Sequence, residues 1–277
     1  NSFITEEIKK IYLSDFKISS IINHKNINFK GDGKYSFNNL DFLNINLENN
    51  LQKNLLNLKL NFDYNKSFQV DIINYKKSKK SIANFSLDLE KTKQNIKINK
   101  LVFKEKDNSI SINELGLRQN KLSFFKKIKV ETTNNNFFIL NDKKILIKGN
   151  KFDATNINKF FVNQADENKF QNLNSNIEIN FKNINLPMSE QLKDFKLLGE
   201  IKRGQFVKIS SKGDFGDNNF LDISMKIDKN ANKKYLEIYS DLTRPIISEY
   251  KFFKGLSGGK LLFSSIINSK KSKSKLK

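Results

Sequence analysis

The chain of 277 residues contains no cysteine and only one histidine, His24. Without thiols the chain has no disulfide bond, no thiolate metal site and no cysteine nucleophile. A single histidine argues against a serine hydrolase triad, which needs a base in register, and against an ordinary zinc site, which takes several His or Cys ligands. We therefore expect His24 to be a surface residue, and we predict neither a metal nor a cofactor.

Other catalytic signatures are also missing from the sequence. Asp214-Phe215-Gly216 matches the metal-binding tripeptide of protein kinases, but no glycine-rich loop and no His-Arg-Asp loop accompany it. Gly31-Asp32-Gly33 lacks the spacing of a phosphate-binding loop. Acidic residues occur singly, with no sign of an acid and base pair. We expect Asp214–Gly216 to be a turn between strands, and the protein not to be an enzyme.

Long apolar runs are absent too. No stretch reaches the roughly 18 apolar residues that a membrane-spanning helix needs. The chain begins Asn1-Ser2-Phe3, without an initiator methionine, a basic n-region or an apolar h-region. Our interpretation is that the sequence is a piece of a longer protein, whose export signal or membrane anchor lies outside this window.

Arginine, glycine and proline are scarce, whereas lysine is abundant and the formal net charge is +21. Such a charge ordinarily suggests nucleic acid or an anionic membrane surface as a partner. With only three arginines and with many Lys, Asn, Ile and Phe residues, the composition is instead typical of A+T-rich codon usage. Lysines lie between apolar residues, as in Ile96-Lys97-Ile98, where they oppose pairing of sheet edges. We favour a solvated lysine face and expect no nucleic-acid partner.

The sequence does contain a repeated one-for-one alternation of apolar and polar residues. It is clear in Phe85–Leu89, Ile177–Phe181, Leu221–Ile227 and Leu236–Ile238, and it places the apolar side chains on one face of a strand. Roughly fifteen such runs are separated by short turns, which favour antiparallel neighbours. We predict a mainly β fold, a long antiparallel meander with two or three short helices. A second sheet, a curl of the same sheet or an apolar ligand must cover its apolar face.

Three segments depart from the strand pattern. Residues 2–14 have nearly helical spacing and predict a lead-in helix. Thr155 is expected to cap a helix to about Val162, and Thr243 to cap a helix from Pro245 to Phe253. We divide the chain into an antiparallel β-groove segment (1–150), a C-terminal β segment with short helices (151–267), and a basic tail or truncated strand (268–277).

The C-terminal half resembles a known family. The strand ending in Ser240-Asp241, the predicted helix after it, and Gly258-Gly259-Lys260-Leu261 resemble the C-terminal region of AsmA-like, YhdP-type proteins of Gram-negative bacteria. In that family a strand ends in Ser-Asp, a short amphipathic helix follows, and Gly-Gly-x-Leu opens the next strand. Lys148-Gly149 followed by Asp153 is similar to an earlier strand-to-helix junction of the family. The resemblance covers roughly residues 145–270.

The resemblance implies a periplasmic protein that is anchored to the inner membrane and carries phospholipid between the inner and outer membranes. Its sheet would curl into an elongated, β-taco-like groove, with envelope protein partners that remain unspecified. Moving a 16-carbon acyl chain into water costs on the order of 10 kcal/mol, so lipid crosses only along an apolar surface. The residues expected to line the groove as non-catalytic contacts are Ile177, Ile179, Phe181, Leu221, Ile223, Met225, Leu236 and Ile238.

A second class of function remains open on the sequence alone. The same apolar residues would also fill a closed β-sandwich, in a scaffold, adhesin or anionic-polymer-binding domain with the lysines as the working face. A groove predicts more apolar surface than the fold buries, whereas a sandwich predicts that none is left over.

Overall fold

The computed structural model describes residues 10–24, 26–119, 121–156, 170, 172–228, 233–247, 258–267 and 272–276. The protein is mainly β: strands make up 73% of the described residues, with one large, mostly antiparallel meander sheet. Of the 19 described strands, 17 belong to this sheet and two form a separate hairpin. The predicted fold class is confirmed at this level. No sheet is strongly curled, so the predicted groove shape is not confirmed.

The chain forms two compact units. Unit 1 comprises residues 1–70 and 75–133, and unit 2 comprises residues 71–74 and 134–277. The strands of unit 1 are β1 (Tyr12–Ile22), β2 (Asn26–Ser36), β3 (Leu43–Gln52), β4 (Leu55–Tyr64), β5 (Phe68–Val70), β6 (Tyr75–Lys77), β7 (Ala83–Lys91), β8 (Asn95–Glu105), β9 (Asn108–Arg118) and β10 (Lys121–Thr132).

In unit 1, strands β1, β2, β3, β4, β7, β8, β9 and β10 pair in that order, each antiparallel to the next. The short turns between them make this order the direct result of the sequence. Strands β5 and β6 form the separate hairpin between β4 and β7. This hairpin was not predicted, because its strands are only three residues long.

Unit 2 contains nine strands, a four-residue helix and two 3-10 turns, at Asp71–Ile73 and Pro187–Ser189, among its described residues. These elements are β11 (Asn135–Asn141), β12 (Ile145–Asp153), β13 (Ser175–Asn185), β14 (Gln191–Lys202), β15 (Gln205–Gly216), β16 (Asn219–Asp228), β17 (Lys233–Ser240), α1 (Arg244–Ile247), β18 (Leu261–Ile267) and β19 (Ser272–Leu276).

Strands β12 and β13 are parallel, and the other described pairs of unit 2 are antiparallel. A parallel pair needs a long crossover, and residues 154–174 supply one. The predicted helix from Thr155 to Val162 falls in this crossover, mostly outside the described residues. The antiparallel order predicted for the meander therefore does not hold at this junction, where a break in the strand pattern was expected.

Other helical predictions need correction. Residues 12–14 lie in β1, because they pair with β2, while residues 2–9 of the predicted lead-in helix lie outside the described part. Helix α1 begins at Arg244, one residue before Pro245, and the predicted end near Phe253 is again outside the described residues. The hydroxyl of Thr243 does not cap α1; it donates to the carbonyl of Gly259 at 2.7 Å.

Three further predictions can be compared with the structure. Asp214–Gly216 forms the end of β15, and the turn lies at Asp217 and Asn218, which have φ of 52° and 61°. Of the predicted basic tail or truncated strand (268–277), the structure describes Ser272–Leu276, which form β19 and pair with β18. His24 is exposed.

Candidate functional site

The sheet of unit 1 carries one continuous apolar face. Opposed residues of a ladder point to the same side, and the registers connect leucine and isoleucine across six strands without interruption. All side chains of this row are half-buried. We call this side the unit 1 face. Its central row consists of Leu47, Leu60, Leu87, Leu101, Ile112 and Ile128.

The other side of the unit 1 sheet is polar. Its residues include Asn46, Asn61 and Ser86, which lie opposite one another on β3, β4 and β7. Exposed ion pairs such as Lys30–Glu48, at 3.0 Å, occur here. Such pairs contribute little to stability, but they keep this side hydrated.

Aromatic rings cover one end of the unit 1 face. Phe68 of β5 lies 5.8 Å from Phe85 and 5.3 Å from Phe103, between ring centroids. Tyr75 of β6 lies 5.6 Å from Phe103. The β5–β6 hairpin therefore packs its aromatic side chains on the last row of the face. We call this cluster the aromatic cap; its rings are Phe37, Tyr64, Phe68, Tyr75, Phe85 and Phe103.

A buried ammonium group fixes the hairpin of the aromatic cap. Lys77 is fully buried, and its Nζ donates to the carbonyls of Lys66 at 3.0 Å, Ser78 at 2.9 Å and Ser81 at 2.5 Å. Desolvation lowers the pKa of Lys77, while Glu105 opposes that shift. Burial and the hydrogen bond to Glu105 raise the pKa of Tyr75. Specific hydrogen bonds of Lys77 and Tyr75 therefore hold the hairpin of the aromatic cap in place.

In unit 2, the register brings the eight predicted lining residues to one side of the sheet. Ile179 lies opposite Leu197, Leu197 opposite Ser211, Ser211 opposite Ile223, and Ile223 opposite Ile238. The other five follow at steps of two along β13, β16 and β17, so they share this side. We call it the unit 2 face.

Burial differs among the predicted residues of the unit 2 face. Ile177, Phe181, Leu221 and Met225 are buried. The remaining four are half-buried, namely Ile179, Ile223, Leu236 and Ile238. A polar residue interrupts the row at Ser211, whose hydroxyl exchanges hydrogen bonds with the backbone of Ile223.

The apolar residues of the unit 1 face were missing from the predicted site. The predicted list came from the segment that resembles a family, which begins near residue 145. The signal for the unit 1 face was nevertheless in the sequence, since Phe85, Leu87 and Leu89 alternate as cleanly as Ile177, Ile179 and Phe181.

The two pieces of the family-like motif meet in the structure. Ser240 is fully buried and lies opposite Leu261, itself buried, on the neighbouring strand. Asp241 accepts hydrogen bonds from the Tyr239 hydroxyl at 2.6 Å and the Phe220 amide at 2.9 Å. Its carboxylate also pairs with Lys260.

The hydrogen bonds to Asp241 explain its lowered pKa, and the backbone conformation explains one of the two glycines. The bonds from Tyr239, Phe220 and Lys260 to Asp241 lower its pKa to about 2. Gly259 has φ of +98°, which L side chains rarely adopt. A Cβ on Gly258 would meet nothing within 4 Å, so no packing reason for that glycine is visible.

A second polar corner lies at the end of β12. Asp153 is buried and accepts from the Thr155 amide at 3.1 Å and from the Asn74 side chain at 3.0 Å. Asn135 is also buried; it accepts from the Asp153 amide at 2.9 Å and donates to the carbonyl of Ile73 at 2.8 Å. Because the buried polar groups of this corner form hydrogen bonds with one another, we assign them a role in holding the fold together.

Within the described residues, no group of three His, Cys, Asp or Glu side chains is arranged to hold a metal ion. In that same part of the chain, no helix is long and apolar enough to cross a bilayer.

Comparisons with protein-family models, with curated proteins and with solved structures give no match for this chain. The resemblance described above therefore rests on the sequence motifs alone.

Proposed function

We propose that this protein is a segment of a periplasmic, AsmA-like bridge. Its apolar β surface shields phospholipid acyl chains in a groove during transport between the inner and outer membranes. A segment outside this chain anchors the bridge to the inner membrane. The observation that carries the proposal is the unit 1 face, a continuous apolar surface whose central row is only half-buried.

The dimensions and energetics of the unit 1 face support this function. Eight strands spaced about 4.8 Å apart span about 34 Å, so the apolar rows are long enough to contact an acyl chain along much of its length. Each methylene that leaves water contributes about 0.8 kcal/mol. Half-buried leucines such as Leu60, Leu87 and Leu101 retain apolar surface that a bound chain would remove from water.

The polar side of the sheet supports the same function. A protein that presents an apolar surface to lipid must keep its other side hydrated to avoid aggregation. The opposite row of Asn46, Asn61 and Ser86, together with exposed lysines, meets that requirement.

The test is organic extraction of the protein purified in mild detergent, followed by mass spectrometry of the lipids. Leu60→Asp places a charge on the unit 1 face, and Ile223→Asp places one on the unit 2 face. We expect copurified phospholipid to fall severalfold in Leu60→Asp, because a carboxylate is poorly solvated beside hydrocarbon.

Matched controls place the same charge on the polar side. Asn61→Asp is adjacent to Leu60, and its Oδ1 can still accept from the Asn84 side chain, as Asn61 does at 2.9 Å. Ser210→Asp is exposed on β15, a strand next to Ile223. Both controls should retain lipid, and all four should keep the β circular dichroism signal. A well-folded wild-type protein without lipid would contradict the proposal and favour a scaffold or anionic-polymer-binding domain.

A further inference from the structure

The end of the unit 1 face opposite the aromatic cap is a row of eight residues, one on each strand, of which seven are apolar and one is Lys91. Opposed pairs link its members from β1 to β10. Three of them are well exposed: Ile22 at 72%, Ile27 at 41% and Leu51 at 38%. The row consists of Ile22, Ile27, Leu51, Leu56, Lys91, Ile96, Leu117 and Leu122.

The hairpin turns beside this row carry cations and no acid. In an antiparallel meander the β1–β2, β3–β4, β7–β8 and β9–β10 turns lie at the same end of the sheet. Their sequences, residues 21–27, 51–56, 91–96 and 117–122, contain neither Asp nor Glu. Among the described residues of these turns, the exposed cations are Lys53, Lys91, Lys93, Arg118 and Lys121.

Turns at the opposite end of the sheet differ, because they contain both basic and acidic residues, as at Lys106 and Asp107. We call the apolar end row and the cations around it the basic end. The charge is therefore segregated within unit 1, although lysine is common throughout the chain.

We propose that the basic end of unit 1 docks on an anionic lipid bilayer, and that acyl chains enter the unit 1 face from there. The entry of acyl chains rests on the proposed function, whereas the docking does not. Exposed isoleucine and leucine side chains enter the boundary between head groups and hydrocarbon, while lysine and arginine meet the anionic head groups.

The residue types favour a bilayer over nucleic acid. Proteins that bind single-stranded nucleic acid stack bases on aromatic side chains, and the four turn sequences of the basic end contain no Phe, Tyr or Trp. Duplex binding requires cations but no exposed aliphatic row. Ile22, Ile27 and Leu51 are exposed, and burial of such side chains in the hydrocarbon boundary of a bilayer is favourable.

The test is flotation of the whole chain with vesicles. Vesicles of phosphatidylglycerol and phosphatidylcholine in equal amounts should bind the protein, and vesicles of phosphatidylcholine alone should not. Added salt should weaken the binding. The triple variant Lys53→Glu, Lys93→Glu, Arg118→Glu should lower the partition coefficient by about a hundredfold.

The matched control is Lys34→Glu, Lys76→Glu, Lys104→Glu. These three lysines of unit 1 are also exposed, lie toward its capped end and give the same change in net charge. The control should bind nearly as the wild type does. Equal losses in both triple variants would overturn the proposal, because binding would then follow net charge and not the basic end.

A variant that lacks two of the exposed apolar side chains distinguishes binding to a bilayer from binding to other polyanions. Ile22→Ser with Leu51→Ser should weaken vesicle binding severalfold while leaving all charges in place. If this variant binds vesicles normally and the wild type binds a DNA duplex as tightly as it binds vesicles, the docking proposal is overturned in favour of nucleic acid.

Lipid extraction of the same variants separates docking from the proposed function. Vesicle binding that depends on the basic end, in a protein without copurified lipid, upholds docking and overturns the proposed function. Copurified lipid together with vesicle binding that is unaffected by the triple variant overturns docking and leaves the proposed function standing.

Discussion

The two units distribute burial differently along their apolar faces. In the described part of unit 1, the buried apolar side chains lie at or near the capped end: Tyr35, Leu43, Tyr64, Tyr75, Ala83, Phe103 and Val130. In unit 2, buried side chains occur in successive rows, from Ile145 and Ile177 through Leu197 to Phe181 and Leu221. Unit 2 thus has buried side chains in several rows of its face, while unit 1 has them only at or near one end.

The difference shows what alternation encodes. Alternation determines on which side of the sheet each side chain lies, and it does so in both units. What covers that side depends on additional segments, such as the β5–β6 hairpin of unit 1, whose aromatic rings contact Phe85 and Phe103 at one end of the face. The surface left half-buried in unit 1 is therefore the better candidate for a ligand.

The largest expected effect comes from comparing two residues on β8, on the same face and two positions apart. Phe103, in the aromatic cap, is 3% exposed, and Phe103→Ala should lower the free energy of unfolding by about 3–5 kcal/mol. Leu101 is half-buried, so Leu101→Ala should cost about 1–2 kcal/mol. Denaturant titration measures both. Equal losses would mean that the central row is packed as tightly as the cap.

The second comparison concerns the buried ammonium of the cap. Lys77→Met keeps the chain length but leaves three carbonyls without their donor, which should cost about 3 kcal/mol. Lys76→Met changes an exposed neighbour on the same strand and should be nearly neutral. The measurement is the denaturation midpoint of each variant. A neutral Lys77→Met would show that the three carbonyls find other donors and that the cap does not depend on the ammonium.

Much of the strand order was predictable from the sequence, because regular alternation and short polar turns specify antiparallel neighbours. The side of the sheet on which each predicted residue lies was also predictable. Leu221, Ile223 and Met225 share a face for no other reason than their spacing.

The remaining features depend on contacts distant in sequence. Nothing local marks Lys77 as buried, since it stands among the exposed lysines 76, 79 and 80, and only the folded hairpin brings three carbonyls to it. The parallel pairing of β12 and β13 was missed for a related reason. Residues 154–174 lack the short turns from which antiparallel order was inferred, and a long connection permits either direction.

The third comparison tests the strand end of unit 2 with two adjacent glycines. Gly259→Ala places a Cβ on a residue with φ of +98°, which should cost about 1–2 kcal/mol. Gly258→Ala should be nearly neutral, because its Cβ would meet nothing within 4 Å. Thermal unfolding of both variants gives the difference. Equal effects would show that backbone conformation at Gly259 does not hold the strand end together.

The smallest expected effect is the pH dependence at the same strand end, because Lys260 is largely exposed and solvent screens its pairing with Asp241. The pKa of Asp241 falls from 3.8 to about 2 through its bonds from Tyr239, Phe220 and Lys260. The unfolded chain therefore binds more protons between these values, and acid favours unfolding there.

The stabilisation by Asp241 should be fully present above about pH 4 and lost as pH falls through about 2. Thermal midpoints of the wild type and Asp241→Asn should accordingly differ at neutral pH and converge in that window. Asp222→Asn, on the exposed side of β16, should show no such convergence. A difference that persists unchanged below pH 2 would mean that Asp241 acts through the geometry of its hydrogen bonds and not through its charge. The strand end of unit 2 would then be held by hydrogen bonds and packing, as the cap of unit 1 is held by rings and carbonyls.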